Sequence, residues 1–298
     1  MNEPHLRLSP DRPTSLKNET CPYCGKNLSR RSSTKEHVVG RRFVPQGTMS
    51  GCWNLILRAC RTCNQLKSDL EDDLSAITMA FHTFGLTGLT DDLLTRDAMR
   101  KGGRSFSRTT GKPVSQSKTT LNFSGKAGAM HITGNFVAPA QLDEERVFEL
   151  ARLQLTGFFY FLTYDLTANR GNWWSGSFMP LLGTARSDWG NPINLHFMRT
   201  VEKWDYRLIV TTADGYFHAT IRRHPTEDLW AWAVEWNRSY RVLGFFGGER
   251  AAVEIASTFP QLYAEAVYES GSEWVRMRIE TPLAEAVDTL FANPGVAR

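Results

Sequence analysis

The chain has 298 residues, 41% of them hydrophobic and 22% charged, with a net charge of +4 and nine tryptophans. Those proportions fit a folded globular protein long enough for two domains, and they exclude a disordered polyelectrolyte, a collagen-like repeat and a small disulfide-framed peptide. No apolar run reaches bilayer-spanning length; the longest candidate, LQLTGFFYFLTYDL, is short and carries polar residues, so no membrane partner is expected.

Charge is unevenly spread. Residues 1–139 hold 20 Lys/Arg against 11 Asp/Glu, whereas residues 140–298 hold 15 against 20. A basic first half and a mildly acidic second half suggest that one end meets a polyanion. Residues 1–20 are polar and punctuated by proline, which suits a loose lead-in. They lack the apolar core of a secretory signal, and the cytoplasm is the expected compartment.

Four of the five cysteines follow as two Cys-x-x-Cys pairs, Cys21/Cys24 in CPYC and Cys60/Cys63 in CRTC. Without a secretion signal, that layout points to metal ligation rather than to disulfides. Each pair can supply two sulfurs to a tetrahedral, closed zinc site, and Gly25 suits the tight turn after the first pair. Such a site holds a fold and has no open position for catalysis. Cys52, beside Trp53, is expected as a small buried residue, with a spare ligand as the alternative.

From Asn64 onward, apolar residues at 66, 70, 74, 77, 81 and 84 predict an amphipathic helix, with Glu71, Asp72 and Asp73 on its solvated face and His82 as a helix-surface or core-edge residue. Residues 85–140 are rich in Gly, Ser, Thr, Lys and Arg and predict a flexible basic linker or arm. Gly111-Lys112 is not a phosphate loop, since Phe106 stands where that motif needs glycine. Beyond residue 140, LDEERVFELARLQLTGFFYFLTYD predicts a long central helix. WDYRLIV and LWAWAVEW alternate as strands, and Asp214-Gly215 suits a hairpin turn. Tryptophans at alternating positions read as sheet core, with base stacking as the rival reading. Short helices are expected near 260–270 and 282–291, flanking a strand at EWVRMRIE. The expected organisation is α+β with an antiparallel sheet in the second half.

Between the cysteine pairs, in order, stand Glu36-His37, Pro45 and Asn54-Leu55; Asn64 and Lys67 follow Cys63. Taken singly, a Glu-His pair is commonly surface decoration, and Asn54 could cap a turn. Together, residues 21–67 resemble the HNH endonucleases, the ββα-metal nucleases whose zinc-bound members read C-x-x-C, [DE]-H, N-L, C-x-x-C-N-x-x-K. The match covers about a sixth of the chain. Glu36 stands where Asp is more frequent, and Asn64 where the family name implies His.

The resemblance implies a zinc-stabilised ββα-metal finger in residues 1–84, which on composition and patterning is joined by the basic linker of 85–140 to an α+β domain in 141–298. That domain would serve specificity, dimerisation or regulation through a ligand or protein partner. It further implies metal-dependent hydrolysis of DNA phosphodiester bonds, with RNA offering the same phosphate chemistry, in a defence or restriction-type effector. His37 would be the general base, since a neutral imidazole takes a proton near neutral pH. Asn54 would hold that imidazole, Glu36 and Asn64 would give oxygen ligands to Mg²⁺ or Mn²⁺, and Arg41, Arg42 and Lys67 would grip phosphates. Double-strand cutting with one site per chain would favour a homodimer. The alternative is a zinc finger that binds nucleic acid without cutting it.

Overall fold

A short parallel strand, a hairpin and a helix open the computed structural model, which describes residues 11–83, 90–127, 130–270 and 273–292. Strand β1 (Thr14–Ser15) pairs in parallel with β3 (Leu55–Cys60), and β2 (Ser33–His37) pairs antiparallel with β3 on its other side. The register sets Ser33 opposite Cys60 and His37 opposite Ile56. β3 is the middle strand, and Leu55, Ile56 and Leu57 are all buried, as expected for a strand covered on both faces.

Helix α1 (Arg61–Thr83) starts directly after β3. Leu70, Leu74, Ile77 and Phe81 form its buried stripe, while Leu66 is half exposed. Phe84, which should continue the stripe, lies outside the described residues. Of the acidic cluster, Asp72 lies on the solvated face the sequence suggests, whereas Asp73 and Glu71 turn inward. Asp73 is buried against Arg146, 2.8 Å away, Asp72 accepts from Ser105 at 2.9 Å, and Glu71 binds Lys67. Each carboxylate has a partner distant in sequence or one helical turn away. That is how buried charge is tolerated.

The expected linker also differs. Within 85–140, helix α2 (Asp92–Gly102) packs on α1, and strands β4 (Lys118–Ala127) and β5 (Met130–Pro139) form a two-stranded ribbon. Asp91 caps α2 by accepting from the backbone N–H of Leu93 and Leu94, and Arg100 and Lys101 lie in its last turn. A good cap and favourable end charges offset the modest helix-forming composition. Lys101, buried in its final turn, donates to the carbonyl of Arg42 and to Ser75.

Helix α3 (Glu144–Leu162) is central, as predicted. On one side lies the five-stranded antiparallel sheet β6-β10-β9-β8-β7, built from β6 (Ser177–Ala185), β7 (Asp205–Thr212), β8 (Phe217–Arg223), β9 (Leu229–Trp236) and β10 (Tyr240–Gly247). On the other lies the hairpin of β2 and β3. One apolar cluster joins Val38, Phe43, Trp53 and Leu57 to Leu150 and Phe158 of α3 and to Trp232, Val234 and Trp236 of β9. The core therefore runs without interruption across the boundary expected near residue 140. The opposite sheet face carries a second cluster, with Ala231, Ala233 and Phe245 under α4 (Pro192–Val201) and α5 (Glu249–Ala256).

Close approach decides one glycine. A Cβ on Gly157 of α3 would lie 2.7 Å from Val38 Cγ2, so only glycine lets the helix press on the residue after His37. The Asp214-Gly215 turn between β7 and β8 is present, with positive φ at Ala213, Asp214 and Gly215. The two expected C-terminal helices are not. Residues 265–270 form β11 (Glu265–Ser270), paired with β12 (Glu273–Met277), and 282–291 holds a single 3₁₀ turn at Glu285–Val287. Pairing with a neighbouring strand overrode local helix propensity in the first case. Among the described residues, no helix is long and apolar enough to cross a membrane.

Candidate metal centre

The first knuckle folds because Cys21 N–H donates to Lys26 O and Gly25 N–H donates back to Cys21 O, with Gly25 at φ +73°. The second spans the junction of two elements, since Cys60 ends β3 and Cys63 sits in the first turn of α1. All four sulfurs lie within 4.8 Å of one another, and Cys24 Sγ is 3.7 Å from Cys60 Sγ. Four thiolates at ~2.3 Å from a tetrahedral zinc would stand ~3.8 Å apart. The donor set and its spacing fit, and the cluster could hold a metal ion such as zinc. Cys52 stays apart, half-buried, with its thiol 3.6 Å from Asp214.

Beyond the cluster, α1 runs alongside β2 and the residues that follow it, and meets them at three successive rungs. Asn64 Nδ2 donates to Thr34 Oγ1 at 2.8 Å. One turn on, Lys67 Nζ meets Glu36 Oε1 at 2.8 Å and donates to His37 O at 3.0 Å. A further turn on, Glu71 Oε1 accepts from Gly40 N at 3.2 Å and from Lys67 Nζ at 2.5 Å. A Cβ at Gly40 would displace the Glu71 carboxylate from the last rung.

Glu36 is buried, and its Oε1 is doubly engaged, by Lys67 and by the hydroxyl of Tyr23 at 3.0 Å. Its Oε2 makes no hydrogen bond among the described residues, and neither does Oδ1 of Asn64. Two oxygens on neighbouring rungs are thus left with lone pairs to offer. Tyr23 was not singled out from the sequence. It lies inside the CPYC knuckle and its phenol is held protonated, chiefly by burial and then by the Glu36 charge.

His37 ends β2, and adjacent residues on a strand face opposite sides, so its ring lies away from the Glu36 rung. Its Nε2 is buried and has no hydrogen-bond partner among the described residues. Burial first, then the charges of Arg41, Lys35 and Lys67, bring its pKa down to about 4. The imidazole is therefore neutral at physiological pH.

Two expectations need correcting. Asn54 does not touch the imidazole; its side chain clasps Val39, accepting from Val39 N at 3.3 Å and donating to Val39 O at 2.8 Å, while its carbonyl accepts from Thr14 N. It thereby fixes the backbone two residues past His37. Lys67 does not reach solvent to grip phosphate; its side chain is 1% exposed and its ammonium lies between Glu36 and Glu71. Burial lowers its pKa, but the two carboxylates outweigh that and the net direction is up. Arg41 and Arg42 are exposed, beside His37 in the chain, as a phosphate-binding role requires. The i,i+4 spacing of Lys67 and Glu71 was the one sequence signal of this charged triad.

In comparisons with known proteins, no family model matches the chain, and neither does any curated protein or solved structure.

Proposed function

We propose that this chain is a metal-dependent endonuclease of the HNH type, hydrolysing DNA phosphodiester bonds. The observation that carries the reading is the arrangement at the β2–α1 ladder. A four-thiol cluster joins a hairpin to a helix, and the joined pair sets Glu36 Oε2 and Asn64 Oδ1 on neighbouring rungs, with the neutral His37 following Glu36 in the chain. Glu36 and Asn64 would hold Mg²⁺ or Mn²⁺. When bound, that ion supplies positive charge to the phosphate and to the leaving oxygen. His37 takes a proton from water at a ring nitrogen, and Arg41 and Arg42 bind flanking phosphates without reading bases.

Supercoiled plasmid, incubated with purified protein and Mg²⁺ or Mn²⁺, tests this directly. Nicked or linear DNA should appear with metal and disappear with EDTA. His37→Ala should reduce the rate at least ~100-fold, the usual contribution of a general base, while leaving zinc content unchanged. Cutting that survives His37→Ala at full rate would refute the assignment.

One observation favours a second reading. The Lys67 ammonium already pairs with both Glu36 and Glu71, as it would in a zinc finger that binds nucleic acid without cutting it. That module would retard DNA in a gel with a steep salt dependence and leave it intact.

A further inference from the structure

Glu36 is held from two sides by groups of different origin. Lys67 comes from α1, one turn beyond Cys63. Tyr23 comes from within the first knuckle, flanked by Cys24 and only two residues from Cys21, and its hydroxyl reaches 13 residues along the chain to the carboxylate. Both groups bind the same oxygen, Oε1. A carboxylate fixed through one oxygen cannot rotate freely, and its second oxygen acquires a definite direction. Outer partners of this kind set ligand orientation in metal sites, and removing one typically costs 10–100-fold in affinity or activity.

We infer that Tyr23 is a positioning residue through which the four-cysteine cluster orients Glu36, turning Oε1 inward and leaving Oε2 to the divalent cation. The inference rests on the nuclease reading and adds to it a mechanical link between the structural cluster and the carboxylate. The phenol ring is itself packed in the apolar core beside Cys21. Its position therefore follows the knuckle, and the knuckle's position follows the four sulfurs.

Removing one hydroxyl tests the link. Tyr23→Phe keeps the ring and its packing while deleting the bond to Glu36, and it is compared with wild type and Glu36→Gln in zinc-loaded, full-length protein. Free Mn²⁺ measured by electron paramagnetic resonance gives the affinity, and plasmid cleavage titrated with Mn²⁺ gives the half-saturating concentration and the maximal rate. The expected result for Tyr23→Phe is about a 10-fold weaker Mn²⁺ affinity, with zinc content unchanged and the rate at saturating Mn²⁺ close to wild type. Glu36→Gln should lose Mn²⁺ altogether. Unchanged Mn²⁺ affinity in Tyr23→Phe, alongside its loss in Glu36→Gln, would overturn the positioning role and leave the nuclease reading standing. Wild-type protein that neither binds Mn²⁺ nor cuts DNA would overturn both.

Discussion

The hairpin–helix of residues 21–83 and the α3–sheet assembly of residues 144–247 are stabilised by different chemistry. The first depends on four thiols, a buried Glu-Lys-Glu triad and an asparagine clasp. In the second, Trp232, Trp236, Phe158 and Phe217 are wholly buried, and ring contacts such as Phe178 on Trp232 (4.9 Å, 11°) fill the space between helix and sheet. Thiol and ion-pair contacts are few and directional, so one altered atom is felt. Apolar packing is spread over many atoms, and each contributes little. The region read as chemically active is the one built from directional contacts.

The comparison is sharpest at the cysteines. Structural zinc in small fingers contributes on the order of 10 kcal/mol to folding. Cys21→Ser should abolish zinc binding, measured as metal per chain, and remove hydrogen-exchange protection from residues 33–83 while β7 to β10 keep theirs. Simultaneous loss in both regions would show that the shared core makes them one cooperative unit.

Trp232→Ala probes the other side. A fully buried tryptophan cut to alanine costs about 3–5 kcal/mol, read as a lower midpoint in denaturant. Zinc stoichiometry in the folded fraction should not change.

The smallest effect concerns Lys101, which ties α2 to the loop after His37. Burial is the main cause that brings its pKa down from 10.5 to about 8. Below pH 8 the ammonium is charged in both folded and unfolded chains. Between about 8 and 10.5 only the unfolded chain keeps the proton, so this group's contribution to stability rises with pH across that window. Denaturation midpoints for wild type minus Lys101→Met should accordingly increase from pH 7.5 to pH 9.5. A flat difference would mean that the amine keeps its ordinary pKa.

What the sequence disclosed depended on the range of the interaction. Both cysteine pairs were legible because ligand spacing is local, and α3 and β9 because periodicity is local. The α+β character and the antiparallel sheet followed from those patterns. The inward turn of Asp73 was hidden, since its partner Arg146 lies 73 residues away. Lys67 looked like a surface cation because nothing local shows that Glu36 comes from another strand to meet it. Helix α2 was masked by a Gly- and Arg-rich neighbourhood, although Asp91 stands at its cap. The tyrosine of the first knuckle went unnoticed because Cys-x-x-Cys defines only its outer positions.

Gly157 carries a consequence for the boundaries of this protein. With no side chain there, the backbone of α3 rests directly on Val38, next to His37 in the chain, and against Leu57 of the same hairpin. The hairpin–helix is therefore not transplantable. Excised as residues 11–83, it would expose Val38, Leu57 and Trp53 to water, and grafting it elsewhere would require a recipient helix with the same notch.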